Sequence, residues 1–347
     1  TIPVLPMKAA IYIRPGRFEL VEKPAPKPAP GECLLETSRA GVCGTDVRIF
    51  RGHLQNRVGA KRILGHEAVA IVREPSAAGK FRAGERVAVE PTIFCGDCAA
   101  CRRGFTHVCQ NLRILGIDQD GAFQQFWTAT ENRLHELPGT ISDDHAAMIE
   151  PLAVAVHSVR VAALCAGETV AVIGAGTIGS LIAILAAKAG AKVAVLEINP
   201  FRLKFARRFQ LQTFNPQEQD IAQILSNFTH GAGMNVIFEA SGSSDGARLM
   251  TALAAVRGRA ILVGIHNRDT PLDLYQMFSR ELSLQGVRAY ASDDFAEAIR
   301  LLAAGEINLA PFISKHYPLE QLQQALEFAA SNAPAMKILI NFHSAQV

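Results

Sequence analysis

Residues 168–179 read ETVAVIGAGTIG, an apolar run that breaks into three spaced glycines, Gly174, Gly176 and Gly179, and then continues as helix-forming sequence. A G-x-G-x-x-G run means little alone, but between a strand and a helix it lets backbone approach a pyrophosphate. The helix start, with Thr177 and Ile178, then aims unpaired N–H groups at the anion. Downstream, KVAVLEI (192–198) reads as the next strand, FRLKFARRFQ (201–210) as a helix, and MNVIFEAS, RAILVGI and LSLQGV as further strands. Continuous apolar strands alternating with helices predict a parallel, doubly wound sheet over residues 153–290, with a helix over Thr177–Ala189. Glu197 ends the second strand, where a carboxylate can accept hydrogen bonds from ribose hydroxyls and repel a 2'-phosphate, so the expected dinucleotide is NAD rather than NADP. Arg202, one turn further on, could pair with a phosphate or stack near the adenine.

Outside this region the pattern changes. Between Met7 and Glu136, KAAIYI, GECLLETSRAGV, AVAIVREP, ERVAVE and GAFQQFWTA alternate with Gly and Pro turns, which predicts a rolled, mostly β domain. AAMIEPLAVAVHSVRVAAL (146–164) reads as helical material at the junction. The last stretch, with DDFAEAIRLLAAG, LEQLQQALEFAAS and MKILINF, could extend the parallel sheet or return to the first domain; periodicity alone does not choose. The segment KPAPKPAPGE (23–32) should be stiff and extended.

Composition narrows the function classes. The chain has 347 residues, 49% apolar and 19% charged, with a net charge of +3, which is a two-domain globular balance with no broad basic surface for nucleic acid. The most apolar stretch, SLIAILAAKAG, is too short to span a bilayer, and no secretory leader is readable at the start. A soluble, cytoplasmic protein is expected, with its seven cysteines reduced.

Five of those cysteines suggest metal. Cys95, Cys98, Cys101 and Cys109 form C-x2-C-x2-C-x7-C, a local spacing that lets four thiolates close a structural zinc site. Cys43 in AGVCGTD and His66 with Glu67 in LGHE offer a second, mixed set. A catalytic zinc keeps one position open, so this is the set to suspect of chemistry. Glu67 and Glu150 compete for the third protein position; adjacent strand residues face oppositely, so His66 and Glu67 share an ion only if the backbone turns there. Thr45 could relay the substrate proton, and Asp46 could orient the histidine. His157 is read equally as a pocket residue or a satisfied helical histidine, and Cys33 and Cys165 as buried fillers. A metal beside NAD points to alcohol oxidation or carbonyl reduction.

The segments AGVCGTD, LGHE, CGDCAACRRGFTHVC, DGAFQQF, IEPLAVAVH, VIGAGTIG and LQGVRAY, taken in order over nearly the whole chain, resemble the zinc-dependent medium-chain dehydrogenase/reductase family, in its sorbitol, threonine and sugar-acid dehydrogenase branch. The resemblance implies a GroES-like catalytic domain (1–152 and 291–347) with a Rossmann NAD-binding domain (153–290), and catalysis in the cleft where they face each other. It further implies a catalytic zinc at or beside Cys43, His66, Glu67 and Glu150, a lobe zinc on the four-cysteine run, and a proton relay through Thr45. Many relatives carry histidine where this chain has Arg48, a poor base that could instead hold cofactor phosphate or an acidic substrate; Ala70 replaces a common glycine. Arg288 and Tyr290 sit near positions that line polyol pockets in relatives. The substrate so implied is a secondary hydroxyl of a polyol, sugar or sugar acid, with a 3-hydroxy amino acid such as threonine as runner-up and a non-catalytic NAD-binding scaffold as the alternative class. A homodimer or homotetramer is also implied.

Overall fold

A computed structural model describes residues 6–77, 79–266, 269–331 and 333–342. The chain divides into two compact units, one of Thr1–Glu150 with Ala291–Val347 and one of Pro151–Tyr290.

The first unit begins with strands β1 (Pro6–Arg14), β2 (Arg17–Pro24) and β3 (Glu32–Gly41), followed by the short helices α1 (Gly44–Phe50) and α2 (Gln55–Val58). Strands β4 (Arg62–Ile63), β5 (Glu67–Glu74), β6 (Arg86–Val89) and β7 (Thr92–Ile93) precede α3 (Ala99–Arg102). Then come β8 (Arg113–Ile114), β9 (Phe126–Thr130), β10 (Leu134–Glu136) and α4 (Asp143–Ala146). The main sheet runs β10-β6-β5-β3, with β9 also on β3, while β2-β1-β4 and β7-β8 form smaller sheets. Side chains from these strands, including Tyr12, Leu35 and Trp127, pack with Phe123 of the loop before β9 into the main core of this unit.

Helix α5 (Ile149–Ala162), which falls within the helical stretch expected over 146–164, carries the chain into the second unit at Pro151. The unit continues through β11 (Thr169–Ile173), α6 (Thr177–Lys188), β12 (Lys192–Leu196), α7 (Pro200–Arg207), β13 (Gln212–Phe214) and α8 (Ile221–Phe228). The remainder is β14 (Met234–Glu239), α9 (Ser244–Leu253), β15 (Ala254–Leu262), α10 (Leu274–Ser279) and β16 (Ser283–Gly286). The sheet order is β13-β12-β11-β14-β15-β16, with every pair parallel. Because β11 is buried along almost its whole length, both faces of the sheet are covered, which is why its sequence is continuously apolar rather than alternating. Asn199 caps α7 through its side-chain oxygen, with Pro200 at the first helical position. Strand order reverses between β11 and β14, so a crevice opens at their carboxyl ends, the place where such sheets bind ligands.

The last segment, α11 (Ser292–Ala303), β17 (Ile313–Pro318), α12 (Leu322–Ala330) and β18 (Lys337–Asn341), resolves the ambiguity left by periodicity. β18 pairs antiparallel with β3, Leu339 opposite Gly41, and so rejoins the first unit. Leu339 and Ile340 are fully buried; such side chains contribute about 1.5–3 kcal/mol each, enough to anchor the return.

Cys33 is buried as expected, but Cys165 is exposed. It lies in the turn after α5, just past the left-handed Ala163, where its N–H is tied to Glu168 at 2.8 Å and the thiol is left outside the core.

Candidate active site and metal centres

Cys43 caps α1: its sulfur accepts the Thr45 N–H at 3.4 Å, while Asp46 reaches back to accept the Cys43 N–H at 2.9 Å. Helix capping by cysteine is uncommon, and here it aims the sulfur at the start of β5. His66 lies one residue before that strand, after the left-handed turn at Gly65 (φ +93). The turn removes the strand alternation that would have set His66 and Glu67 on opposite faces. One ligand atom from each of Cys43, His66 and Glu67 lies within 4.8 Å of the others. Glu150, second residue of α5, is outside that set but close enough for its charge to act on His66 and Lys337.

The electrostatics of this pocket ask for a cation. Burial alone would depress the His66 pKa, yet the neighbouring Cys43 and Asp46 charges hold it well above the usual imidazole range. Burial raises the Asp46 carboxyl, against the opposing pull of His66 and the Cys43 N–H. His66 Nδ1 and Asp46 Oδ1 are buried without hydrogen bonds and sit 3.8 Å apart. With Nδ1 turned to Asp46, the other ring nitrogen is the one free to ligate, the carboxylate–histidine arrangement that orients metal ligands. A soft sulfur, an imidazole and a carboxylate, in a pocket whose acidic groups outnumber the ammonium of Lys337, fit a zinc ion with one open position.

Lys337 is the residue that sequence reading missed. It is buried on β18, and its ammonium donates to both oxygens of Glu67 at 2.7 and 2.6 Å and to the Val42 carbonyl at 3.2 Å. Burial would lower its pKa, but Glu67 and Cys43 raise it instead. Gly41 makes room for this pair: a Cβ there would stand 2.0 Å from Glu67 Oε2. Glu67 can therefore reach an ion only by giving up part of its hold on Lys337. A lysine opening the apolar run KILIN was the available sequence signal.

Thr45 is half-buried in the first turn of α1, and Arg48 is half-buried in its last turn.

Cys95, Cys98, Cys101 and Cys109 also converge within 4.8 Å. Measured sulfur separations are 3.5 Å for Cys95–Cys109 and 3.8 Å for Cys98–Cys109; tetrahedral zinc with bonds of 2.3 Å requires ~3.8 Å. Backbone N–H groups of Cys95 and Asn111 donate to Cys109, and that of Cys101 to Cys98. Backbone donors at Cys101 and Gln110 bring the Cys98 thiol down to about 6. Burial and the sulfur of Cys98 push Cys101 up to about 12. So many sulfurs at this spacing cannot all ionise unless a cation joins them.

In the second unit, Gly174 takes φ +93, and a Cβ there would meet the Ser241 backbone nitrogen at 2.9 Å; one at Gly179 would stand 1.9 Å from the Gly174 carbonyl. Strand, turn and helix are thus packed too tightly for side chains, while Gly176, Thr177 and Ile178 form the partly exposed start of α6. Glu197 is buried, its carboxylate accepting from the Ala175, Ile198 and Asn199 N–H groups at 2.8–2.9 Å. Arg202 Nη1 lies 3.9 Å from that carboxylate. His157 is buried on α5, with Nδ1 3.2 Å from Arg160, the satisfied-histidine alternative. Arg288 is exposed and Tyr290 is buried to 1% exposure, so the two do not present a matched pair of pocket groups.

Two family models match the chain: an alcohol dehydrogenase GroES-like domain over residues 29–139 and a zinc-binding dehydrogenase over residues 177–304. The chain is 40% identical to the 2-dehydro-3-deoxy-L-galactonate 5-dehydrogenase of Pseudoalteromonas atlantica, covering 98% of this chain and 100% of that one. It is 32% identical to the L-galactonate-5-dehydrogenase of Escherichia coli K12, covering 97% and 99%. Among solved structures, an alcohol dehydrogenase of Escherichia coli CFT073 complexed with NADH superimposes with a TM-score of 0.91 at 26% identity, covering 97% of this chain and 99% of that one.

Proposed function

The chain belongs to the zinc-dependent medium-chain dehydrogenase/reductase family, and from that premise we propose that it oxidises a secondary hydroxyl of a sugar acid to the ketone with NAD. The observation that carries the reading is the buried meeting of Cys43, His66 and Glu67 in a chain that is collinear with sugar-acid 5-dehydrogenases. Residues 1–152 and 291–347 form the catalytic domain and 153–290 the NAD domain in this reading.

Zinc, when bound, lowers the pKa of the substrate hydroxyl, and NAD accepts the hydride. Cys43 and His66 hold the ion, Asp46 orients His66, and Glu67 or Glu150 supplies the third protein ligand. Thr45, next to Cys43 on α1, takes the hydroxyl proton and passes it outward, because Arg48 cannot act as a base. Arg48 meets the substrate carboxylate or a cofactor phosphate. Arg288, the exposed member of the Arg288–Tyr290 pair, contributes to substrate binding, whereas Tyr290 is enclosed in the core. The four-cysteine lobe holds the second zinc. In the nucleotide site, Gly174, Gly176, Thr177, Ile178 and Gly179 cradle the pyrophosphate, Glu197 binds the adenosine ribose, and Arg202 flanks it.

Edge strand β16 supports assembly as a homodimer or homotetramer: Ser283–Gly286 is exposed throughout, and Leu274, Tyr275 and Phe278 of α10 stand in solvent near the same edge of the sequence. An unpaired edge with apolar neighbours invites a second copy. All seven cysteines are free, which supports a cytoplasmic setting. No helix of the described residues is long and apolar enough to cross a membrane.

The test is NADH formation across aldonates, deoxy-ketoaldonates, polyols and L-threonine, alongside metal analysis. A sugar acid should be the best substrate, and NAD should outperform NADP. A preference for threonine, or a zinc-loaded protein that turns over none of these compounds, would defeat the proposal.

A further inference from the structure

The chain reaches His66 through Arg62–Gly65, and a second segment, residues 115–123 between β8 and β9, lies directly against that stretch. Three backbone bonds join the two. Gly121 N–H donates to the Ile63 carbonyl at 2.8 Å, Phe123 N–H to that of Leu64 at 2.9 Å, and Ala122 N–H to that of Gly65 at 2.9 Å. The Gly65 carbonyl is where the segments cross. It belongs to the peptide whose nitrogen is that of His66, so its direction decides how the histidine leaves the turn. A Cβ at Gly116 would stand 2.3 Å from this oxygen and one at Gly121 2.1 Å from it, while a Cβ on Gly65 would meet the Phe123 ring at 2.8 Å. Side chains are therefore shut out from all three positions.

Two carboxylates fasten the same segment to the excursion that separates Cys43 from His66. Asp118 accepts from the Ile114 N–H at 2.7 Å and from Nε and Nη2 of Arg57, on α2, at 2.7 and 2.6 Å. Such a two-pronged arginine pair fixes direction as well as distance. Asp120 accepts from the Ile63 N–H at 3.1 Å and from Arg62 Nη1 at 3.4 Å. The segment is in turn anchored on the main sheet, where Thr37 of β3 donates its hydroxyl to the Gln124 carbonyl at 2.7 Å and buried Gln124 donates Nε2 to the Gly121 carbonyl at 2.8 Å.

We propose that residues 115–123 are the positioning element of the candidate catalytic metal centre: by closing on the Gly65 carbonyl they set the direction in which His66 enters the pocket, and with it the separation of its imidazole from Cys43. The bonds described reach the backbone before His66 and not its ring. Gly116 and Gly121 are thus positioning residues that act through Gly65, and Asp118 and Asp120 keep them in place. A methyl group at Gly121 would push the Gly65 peptide aside, and ligand distances around a metal tolerate only about 0.2 Å. Gly121 lacks the left-handed backbone of Gly65 and Gly116, so alanine there tests the close approach alone.

The inference rests on the catalytic-zinc reading, and its test separates the two. Zinc affinity is measured on the full chain by competition with a chelator; the equivalent that Cys43→Ala loses marks the candidate catalytic centre, and the other marks the four-cysteine lobe. In Gly121→Ala the first affinity should fall about tenfold to a hundredfold, the usual loss when a partner that orients a metal ligand is removed, with the lobe equivalent kept. The visible spectrum of cobalt(II) bound in place of that zinc should shift too, since it reports ligand geometry. Leu134→Ala, a core cavity on β10 at the edge of the main sheet, controls for general destabilisation and should leave both readings unchanged. Wild-type affinity and spectrum in Gly121→Ala would overturn the inference, as would an equal loss in Leu134→Ala. If Gly121→Ala does not fold, Asp118→Ala, which releases Arg57 without adding bulk, decides instead: about a tenfold loss is expected, and no loss overturns the inference. A wild type that takes up zinc in the lobe alone would instead overturn the catalytic-zinc reading.

Discussion

The two candidate metal clusters of this chain use cysteine in opposite ways. In the lobe, the four sulfurs come from residues 95–109, in a segment whose regular structure amounts to one short helix and a 3-10 turn. At the other cluster, Cys43, His66 and Glu67 are joined by Lys337 from the far end of the chain, and three of these four side chains are buried. The first cluster supplies its own enclosure and needs no sheet to align it. The second depends on a helix cap, a glycine turn and a returning strand, each fixed by packing elsewhere. Four sulfur ligands exhaust tetrahedral zinc, whereas a mixed set with a carboxylate already engaged leaves room for substrate. The comparison teaches that closure stabilises a local fold, while chemistry requires a site whose ligands are held from outside.

Breaking each cluster in turn should give the largest contrast. Cys43→Ala should lower turnover by about a thousandfold or more, since the ion supplies several kcal/mol of transition-state stabilisation, while loss of the α1 cap lowers stability by only about 1 kcal/mol. Cys101→Ser should remove about one equivalent of zinc per chain and expose the lobe to proteolysis, with much more turnover retained. Zinc content, melting curves and initial rates on the same preparations check both. If Cys101→Ser were the more damaging to turnover at full folding, the assignment of roles would be reversed.

The next effect sharpens what holds the open site. Lys337→Met would leave Glu67 buried and uncompensated, a loss of about 3–5 kcal/mol, which for a unit of this size lowers the melting temperature by roughly 10 °C. Adding Glu67→Gln should return much of that loss, because the stranded charge is then gone. Bound zinc should narrow the deficit of the single variant by giving Glu67 another cation, and chelation should widen it. Melting the wild type, single and double variants with and without zinc tests the coupling; additive losses would show that the two groups do not interact.

The same contrast explains what was readable from the chain. The lobe and the glycine turn announce themselves because each is completed within about fifteen residues, so spacing is nearly geometry. The sheet was also legible, since strands covered on both faces must be apolar throughout. Lys337 was not: it lies 270 residues from Glu67, and a lone lysine is ordinarily a solvated surface group. Whether the neighbours His66 and Glu67 share an ion could be posed from sequence, but only the Gly65 turn shows how they come to face one pocket. The LEQLQQALEFAAS helix and the MKILINF strand were legible, but β17 was not, and neither was the pairing of β18 with β3, which depends on burial that no local pattern encodes. Cys165 went the other way: a buried filler was the expectation for a small apolar residue, and the left-handed turn before it placed the thiol outside.

The smallest predicted effect concerns the base of the lobe. Glu90, between β6 and β7, is buried and accepts from Thr92 Oγ1 at 2.7 Å, Arg133 at 2.9 Å, and Ser292 Oγ at 3.0 Å, with His135 at 3.1 Å, so it fastens the strand leading into the cysteines to the returning α11. Burial would raise its pKa, but the hydrogen bond from His135, the Arg133 charge and the Thr92 hydroxyl together hold it below its ordinary value of 4.5. Its folded pKa is thus lower than its unfolded one, so the unfolded chain binds the proton more readily as the pH drops. The stabilisation is fully present above the unfolded value and is lost as pH falls through the depressed folded value. Glu90→Gln should therefore be less stable than wild type at neutral pH, by about 1–2 kcal/mol, with the gap closing below pH ~4. Denaturant unfolding of the two proteins from pH 3 to 7 measures it, and a gap that stays constant across that range would show that Glu90 acts by packing rather than by charge. The metal content of the lobe should be unchanged at neutral pH, since Glu90 contacts none of the four cysteines through the bonds described; loss of zinc in Glu90→Gln would mean that even the self-enclosed cluster leans on the sheet beneath it.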